Sequence, residues 1–364
     1  MIAKRVSSFF WHEHVLVVSR AAVVVFCLIS SVRGFSASIT SSYSKNPSPN
    51  IVAVTHAAGR MGKTLALQIR EDAQLNGVPL DDLPQIRAIV RSEAEALSVK
   101  CDLGGIRLVE GEVVPIPLDW LETIVVEDVS CEEGKKTLQE AFDGAVAAIL
   151  CDASHNEMVW QEQQKEEDDG DDAVRVNENA SEMCSISVPA AESKDLSKRL
   201  LAEIESASSS TSLRHVVMRS SMGLSMDISS EAAQAMGGKA ALEGPRRAEE
   251  ALRSTTLDYT ILRLGVLTDD AGMVPLIFGT DDSILEKRMD SSNTRRPPIL
   301  SRSDAARVST FLLREASSFK GLTIDCSWHP KYGRSSVGSE EAINAAGRQD
   351  LKQSIINEFK LQAT

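Results

Sequence analysis

The chain alternates short apolar runs of strand length with stretches that repeat apolar residues at helical spacing. Leu138, Ala141 and Phe142, for example, lie at i, i+3 and i+4 and so share one face of a helix. Repeated strand–helix–strand units need right-handed crossovers between parallel strands. We therefore predict an α/β fold with a doubly wound parallel sheet, whose ligand crevice lies at the carboxyl ends of the strands. The predicted strands are 51–55, 86–90, 124–126, 145–151, 213–218 and 259–264.

Helical spacing accounts for most of the chain between these runs. The predicted helices include 63–70, 138–142, 196–204, 248–253, a helix that begins near Asp304, and a last helix over 350–361. We predict one domain over 50–330, with a small C-terminal substrate-side lobe, followed by a tail with a helix over 331–364. The apolar segment 274–278 fits the wall of a substrate pocket and an interface equally well.

An acidic insert over 160–183 interrupts the alternation. Seven carboxylates stand between Glu162 and Asp172 against the single Lys165, a composition typical of a solvated loop. A calcium-binding loop is the functional alternative, but placing Gly170 at its sixth position puts Lys165 at the first, where a carboxylate is required. The cysteines show no CxxC spacing either, so we predict no metal site.

The N-terminal 49 residues read as a targeting leader. The apolar run Ala21–Ile29 follows basic residues and is too short to cross a bilayer, which is typical of a signal peptide over 1–34. The serine-rich stretch 35–49 lacks acidic residues and reads as a transit peptide or linker. Together they resemble the bipartite leader that directs proteins to algal plastids. A secretory signal with a disordered linker, or a membrane anchor, would be the alternative.

Net charge limits the classes of partner. The formal charge of −13 argues against a nucleic-acid partner. Since the leader run is the apolar stretch nearest to a span and would be removed, we expect no stable membrane span in the mature protein.

A phosphate-binding turn follows the first predicted strand and opens a helix. A diphosphate approaches the backbone N–H groups of a helix N-terminus, which needs small residues there. Gly59 permits that approach, and Gly62 allows close packing of helix and strand. His56 stands where a first glycine normally makes the turn, and a merely structural turn is the alternative. The predicted cofactor-binding residues of this segment are Thr55, Ala58, Gly59, Arg60, Met61 and Gly62.

The end of the second predicted strand is the place where the adenosine ribose is read. A carboxylate there accepts the 2′-hydroxyl of NAD, whereas an arginine complements the 2′-phosphate of NADP. Arg91 occupies this position and favours NADP(H) as the cofactor. A plain surface arginine is the alternative, so the prediction depends on the register of Arg91 with the glycine turn.

Several segments in order resemble the atypical short-chain dehydrogenases, the NmrA-like NAD(P)-binding group of Rossmann proteins. The resemblance covers roughly residues 50–328 apart from the acidic insert. It rests on VTHAAGRMG (54–62), AIVR (88–91), VVEDVS (125–130) with FDG (142–144), HVVMRSSMG (215–223), RAEEALRSTTLDYTILRLGVL (247–267) and ILSRSDAARV (299–308).

This resemblance implies further cofactor contacts. It places Asp128 and Val129 beside the adenine, and Leu264 with Gly265 at the nicotinamide end. The residues that it places along the cofactor after the fourth strand are Cys151, Asp152 and Ala153. Arg263 would lie beside Gly265, or serve as a buried ion-pair partner, and Asp128 could instead cap a helix. The serine pair after the fifth strand, Ser220 and Ser221, would hydrogen-bond a carbonyl or the cofactor amide.

The catalytic residues of the wider superfamily are not in place. Its reductases use a tyrosine, and a lysine four residues later that lowers the tyrosine pKa. The tyrosines here are Tyr43, Tyr259 and Tyr332, and Pro47, Arg263 and Ser336 follow them at that spacing. Ser221 is therefore the one catalytic candidate, with Lys239 or Arg246 as basic partner.

Two functions are consistent with these residues. The first is a plastid NADP(H)-binding protein that acts as a scaffold, redox sensor or assembly factor with a protein partner. The alternative is an NADPH-dependent oxidoreductase acting on a small carbonyl or enone. The opening segment also resembles dihydrodipicolinate reductase, but that family needs an adjacent histidine pair, and none of the six histidines is adjacent to another.

Overall fold

The computed structural model describes residues 50–109, 112–151, 190–290 and 297–360. The leader, the acidic insert, Asp152 and Ala153 lie outside the described residues, as does the end of the predicted last helix beyond residue 360. The described residues belong to one compact unit, Ser48–Thr364.

Eight strands of the described residues form one sheet. They are β1 (Ile51–Val54), β2 (Gln85–Val90), β5 (Leu121–Val125), β6 (Ala145–Cys151), β7 (His215–Ser221), β8 (Tyr259–Leu264), β10 (Leu276–Gly279) and β12 (Thr323–Trp328). Their order across the sheet is β10-β12-β8-β7-β6-β1-β2-β5. Every neighbouring pair is parallel except β10 and β12, which are antiparallel at one edge. The predicted doubly wound parallel Rossmann sheet is confirmed.

Two short strand pairs lie outside this sheet. β9 (Val266–Thr268) pairs in parallel with β11 (Ile299–Ser301), close to the carboxyl edge of β8. β3 (Ile106–Val109) and β4 (Glu112–Pro115) form an antiparallel pair after the second helix. Neither pair was predicted, because strands of three or four residues carry too few positions to show an alternation.

Helices cover both faces of the sheet. In the described residues they are α1 (Arg60–Leu75), α2 (Glu93–Gly104), α3 (Glu132–Phe142), α4 (Ala190–Ser209), α5 (Glu231–Ala235), α6 (Gly238–Arg253), α7 (Ser283–Asp290), α8 (Arg302–Arg314), α9 (Ala316–Phe319), α10 (Glu340–Gly347) and α11 (Leu351–Phe359). One hydrophobic cluster contains residues of α1, α2 and α8 with β1 and β2, whereas α3, α4 and α6 pack into a second cluster on the other face.

The later part of the chain adds to the core beyond the expected elements. A third hydrophobic cluster joins α5, α6 and α7 through Met222, Leu242 and Leu285. The apolar segment 274–278, predicted as pocket wall or interface, leads into edge strand β10, which begins at Leu276, and Leu276 and Phe278 are buried. Ile355 and Ile356 of α11 belong to the same cluster as the residues of β1.

Candidate functional site

The turn after β1 takes the backbone path that a glycine usually provides. His56 adopts a left-handed conformation with φ of 49°, which costs energy for any residue with a side chain. Its side chain is buried. The backbone N–H of Ala57 donates to the carbonyl of Ile89 at 3.3 Å, so the turn is tied to β2. The backbone at His56 therefore follows the path that a glycine would take there, although a side chain is present.

The N-terminus of α1 presents backbone N–H groups that suit an anion, although the N–H of Gly59 itself donates to the carbonyl of His56 at 3.1 Å. The first backbone N–H groups of a helix have no partner within the helix. Gly59 is the N-cap residue of α1 and makes no side-chain cap, and the first turn contains no acidic residue. The predicted diphosphate contacts at Arg60, Met61 and Gly62 thus coincide with donors that a ligand can satisfy.

Gly62 allows the turn and α1 to pack closely. A Cβ atom at this position would lie 2.5 Å from Cα of Ala57 and 2.5 Å from the carbonyl oxygen of His56. Both are backbone atoms that cannot move aside without moving the turn. The predicted packing role of Gly62 is therefore explained by a specific contact. Gly59, in contrast, has φ of −66°, so a left-handed backbone is not the reason for glycine there.

Thr55 connects β1 to β6 rather than standing free for a ligand. Its hydroxyl accepts a hydrogen bond from the backbone N–H of Cys151 at 3.0 Å, and its own N–H donates to Ile149 at 3.1 Å. Both Thr55 and Cys151 are buried. These two predicted cofactor residues hold the strand ends together directly beneath the crevice.

Arg91 follows β2 as predicted, but it already has a carboxylate partner. Its backbone N–H donates to Glu95 Oε2 at 2.7 Å, and its Nε donates to Glu95 Oε1 at 2.8 Å. Burial alone would raise the pKa of Glu95, but the bonds from Arg91 and the nearby His56 ring hold that pKa below its usual value. The side chain of Arg91 remains 43% exposed. The ribose position therefore presents both an arginine and a carboxylate.

Asp128 forms a local turn at the carboxyl edge. Its carboxylate accepts from the backbone N–H of Ser130 at 2.8 Å and from the Ser130 hydroxyl at 2.6 Å. These two bonds hold the pKa of Asp128 below its usual value. The cap of α3 is made by Cys131. Asp128 is exposed and Val129 is half-buried, a position compatible with the adenine contact that the family resemblance implies.

The serine pair lies inside β7, not after it as predicted, because β7 pairs with β8 as far as Ser221. Both serines are buried. The Ser221 hydroxyl donates to the carbonyl of Met222 at 3.0 Å. Of the proposed basic partners, Arg246 donates to the carbonyl of Met226 at 3.1 Å, and Lys239 is exposed at the start of α6. These contacts give Ser221 no proton relay.

Arg263 is a buried ion-pair partner, the second of its two predicted roles. It donates to Glu249 at 2.9 and 2.8 Å and to the Ser225 hydroxyl at 2.6 Å, and Asp282 lies 3.6 Å away. Burial would lower the pKa of Arg263, but Glu249 raises it overall. Sequence reasoning missed Asp282, which accepts from the backbone of Gly223 and comes from a distant loop.

Gly265 has a packing reason to be glycine. A Cβ atom there would lie 2.1 Å from the carbonyl oxygen of Pro298. The Val266 N–H donates to that same oxygen at 2.8 Å. Close approach of two backbone segments therefore explains this residue without a cofactor.

Two arginines at the carboxyl edge, Arg219 and Arg302, were not predicted as site residues, unlike Arg60 beside the same carboxylate. Asp269, after β9, pairs with Arg60 of α1 and with Arg302 of α8, the latter at 2.6 Å. Arg219 of β7 is buried to 1% exposure on the α8 side of the sheet. An arginine within the apolar run HVVM-R-SS was the signal in the sequence, because charged residues are rarely buried without a partner.

The described residues contain neither a membrane-spanning helix nor a cluster of metal-ligating side chains. Among the described helices, none is both long and apolar enough to span a membrane. The same residues hold no group of three or more His, Cys, Asp or Glu side chains suited to a metal ion.

Comparisons with known proteins identify the family of the chain. A family model for NAD(P)H-binding domains matches residues 122–314, from β5 to the end of α8. No curated protein matches the chain. The matched span confirms the nucleotide-binding family predicted from the sequence, and the glycine turn and Arg91 lie before it.

Solved structures resemble this chain at low identity. A short-chain dehydrogenase/reductase from Veillonella parvula in complex with NADP is 14% identical, with a TM-score of 0.46, and the match covers 78% of this chain and 97% of that one. The triphenylmethane reductase of Citrobacter sp. complexed with NADP(H) is 14% identical, with a TM-score of 0.41 and coverage of 86% and 92%. ChuY, an anaerobilin reductase from Escherichia coli O157:H7, is 15% identical, with a TM-score of 0.43 and coverage of 78% and 98%.

Proposed function

Because the chain belongs to the NAD(P)H-binding family, we propose that it binds NADPH at the carboxyl edge of the sheet and acts as a nucleotide-holding scaffold or redox sensor. The observation that carries this proposal is the first turn of α1. Its N–H groups lack a side-chain cap, and Gly62 brings them close to the turn. Such a cradle fits a diphosphate.

The proposed binding mode assigns a role to each part of the site. The N–H groups of Arg60, Met61 and Gly62 hold the diphosphate, and Arg91 contacts the ribose phosphate. Val129 and the Asp128 turn border the adenine. When bound, the nicotinamide supplies a hydride to a substrate or carries the redox state that a partner protein reads. The chain itself contributes binding and orientation.

A role without turnover is favoured by the proton chemistry of the site. Ser221 donates its hydrogen bond to a neighbouring carbonyl, and Arg263 is bound by Glu249. Neither side chain is arranged to move a proton to a substrate oxygen. An NADPH-dependent oxidoreductase acting on a small carbonyl or enone is the competing function. Incubation of the pure protein with NADPH and a carbonyl panel, read by nicotinamide absorbance, separates the two: a scaffold consumes no NADPH.

The cofactor preference is tested by charge reversal at Arg91. Arg91→Asp is expected to weaken NADPH binding at least tenfold and to leave NADH binding within about twofold, since one charge-assisted contact to a phosphate is worth about 1.5–3 kcal/mol. Arg107→Asp makes the same charge change beyond the far end of α2 and is the control. An unchanged ratio of the two affinities in Arg91→Asp would refute the assignment of Arg91.

The proposed location is the plastid, on the strength of the leader. A fusion of residues 1–49 to a fluorescent protein, expressed in an alga with a multi-membrane plastid, is expected to label the plastid stroma. Deletion of residues 35–49 should stop the fusion before the plastid. Secretion of the intact fusion into the medium would refute this proposal.

A further inference from the structure

Arg219 is a buried cation without a hydrogen-bond partner. None of its guanidinium nitrogens has a partner in the described part of the chain, although the side chain is only 1% exposed. Burying a charge without compensation is strongly unfavourable, so a group of this kind needs an explanation. Arg199, which is also buried, does have partners, since it donates to Glu203 and to the carbonyl of Val126.

Further positive charge surrounds Arg219. Burial lowers the pKa of Arg302, and the guanidinium groups of Arg60 and Arg219 lower it further against the opposing effect of Asp269. Nε of Arg302 also lacks a hydrogen-bond partner among the described residues. Asp269 is thus the carboxylate that pairs with Arg60 and Arg302, and it is itself exposed. Three guanidinium groups exceed what one carboxylate neutralises.

These side chains gather at the crevice rather than inside the core. Arg219 lies in register with Cys151, the last residue of β6, and β6 is the neighbour of β1. Two strand spacings, about 10 Å, therefore separate Arg219 from the turn that leads into α1. Arg60 is the first residue of α1, and Arg302 is the first residue of α8. The arginines span the gap between the two helix starts.

We infer that Arg219, Arg302 and Arg60 form an oxyanion-binding site for a phosphate, diphosphate or carboxylate group. The ligand displaces Asp269, and its oxygens bond the guanidinium groups that now lack partners. The oxyanion comes either from the diphosphate of the dinucleotide or from a second, anionic small molecule beside the nicotinamide. The inference rests on the proposed function only for the identity of the neighbouring dinucleotide.

The test measures binding of inorganic pyrophosphate by calorimetry at constant ionic strength. Wild-type protein is expected to bind it, Arg219→Met to bind it at least tenfold more weakly, and Asp269→Asn to bind it about tenfold more tightly, because one charged contact is lost or one competitor removed. Asp270→Asn removes a neighbouring carboxylate that pairs with Arg334 instead and is the matched control. Equal affinity in wild type, Arg219→Met and Asp269→Asn would overturn the inference.

A second titration identifies the source of the oxyanion. If NADPH blocks pyrophosphate and Arg219→Met weakens NADPH by the same factor, the site holds the diphosphate of the dinucleotide. If pyrophosphate still binds the NADPH complex, the site takes a second molecule. Both results support the site. Pyrophosphate binding that depends on Arg219, in a wild-type protein that takes up no NADPH, would refute the proposed function alone. Should Arg219→Met fail to fold, the exposed Asp269→Asn carries the test.

Discussion

Two buried arginines on neighbouring strands differ completely in their surroundings. Arg263 of β8 lies in register with Ser220 of β7, and Arg219 lies in register with Leu262. Since side chains alternate along a strand, the two arginines point to opposite faces of the sheet. Arg263 bonds Glu249 twice and approaches Asp282, whereas Arg219 has no hydrogen-bond partner in the described residues.

The difference distinguishes a structural charge from a charge that a ligand completes. A buried ion pair whose donors and acceptors are matched belongs to the fold, and removing one partner leaves the other unpaired. A buried cation without an acceptor forms no such ion pair in the unliganded protein, so removing it leaves no carboxylate unpaired. The two arginines therefore respond in opposite ways to the same substitution.

The largest expected effect is on stability at Arg263. Arg263→Met leaves Glu249 buried beside the partly exposed Arg253, so we expect a loss of about 3–5 kcal/mol in the free energy of unfolding. Arg219→Met should change that free energy by less than about 1 kcal/mol or raise it. Urea unfolding followed by circular dichroism measures both. Equal losses in the two variants would contradict the comparison.

The next effect concerns the pH dependence of stability and arises at Asp325 of β12, which lies in register with Arg263 on the neighbouring strand β8. Burial and the neighbouring Asp282 and Asp281 raise the pKa of Asp325 to about 7, against the attraction of Arg263. The folded protein thus holds this proton more tightly than the unfolded chain. The free energy of unfolding that this proton contributes is fully present below the usual carboxyl pKa of 3.8 and is lost as the pH rises through about 7.

We expect unfolding free energy to fall by at most about 4 kcal/mol over this interval because of Asp325. Asp325→Asn should remove that part of the pH dependence and leave the protein more stable than wild type at pH above the folded pKa. Urea titrations across the interval measure the difference. A wild-type and a variant profile that run parallel would show that Asp325 does not titrate there.

A smaller effect is expected at the glycine turn. Gly62→Ala places a methyl group 2.5 Å from backbone atoms of the turn, so we expect a loss of about 1–3 kcal/mol in stability and at least tenfold weaker NADPH binding. Gly347→Ala is the control, since a Cβ atom there would meet nothing within 4 Å. Unchanged NADPH affinity in Gly62→Ala would separate the turn from nucleotide binding.

The smallest expected effect is at Glu95, which competes with a ribose phosphate for Arg91. Glu95→Gln removes the negative charge but keeps the shape, so NADPH binding should strengthen about three- to tenfold, worth about 1 kcal/mol. NADH binding should stay within about twofold. Glu93→Gln changes an exposed carboxylate in the same first turn and is the control. Weaker NADPH binding in Glu95→Gln would mean that Glu95 positions Arg91 for the phosphate.

The sequence alone predicts the parts of the fold that depend on local periodicity. The strands β6 and β8 were predicted to the residue, and the turn before α1 was placed correctly, because apolar runs and small residues mark them. Edge strand β10 was not predicted as a strand, because its apolar residues are equally typical of a pocket wall, and its pairing with β12 arises only in the folded chain. A segment of four residues does not reveal such pairing by itself.

In the candidate site, too, the residues placed by local sequence were predicted and their long-range partners were not. Gly62 and Arg91 were predicted as cofactor residues because each has a fixed position relative to a strand end. The partners Glu95, Asp282 and Asp269 were missed, since ion pairs form between side chains that only the folded chain brings together. Arg219 was visible as a cation in an apolar strand, but its lack of a partner is a property of the three-dimensional structure.

The most direct test of the account is an NMR titration of the full chain with NADPH. Binding at the proposed cradle predicts saturation at one NADPH per chain, with the largest shifts in the backbone amides of Arg60, Met61 and Gly62, which form the first turn of α1. Absence of any saturable shift in these amides, or saturable shifts confined to another part of the molecule, would contradict it.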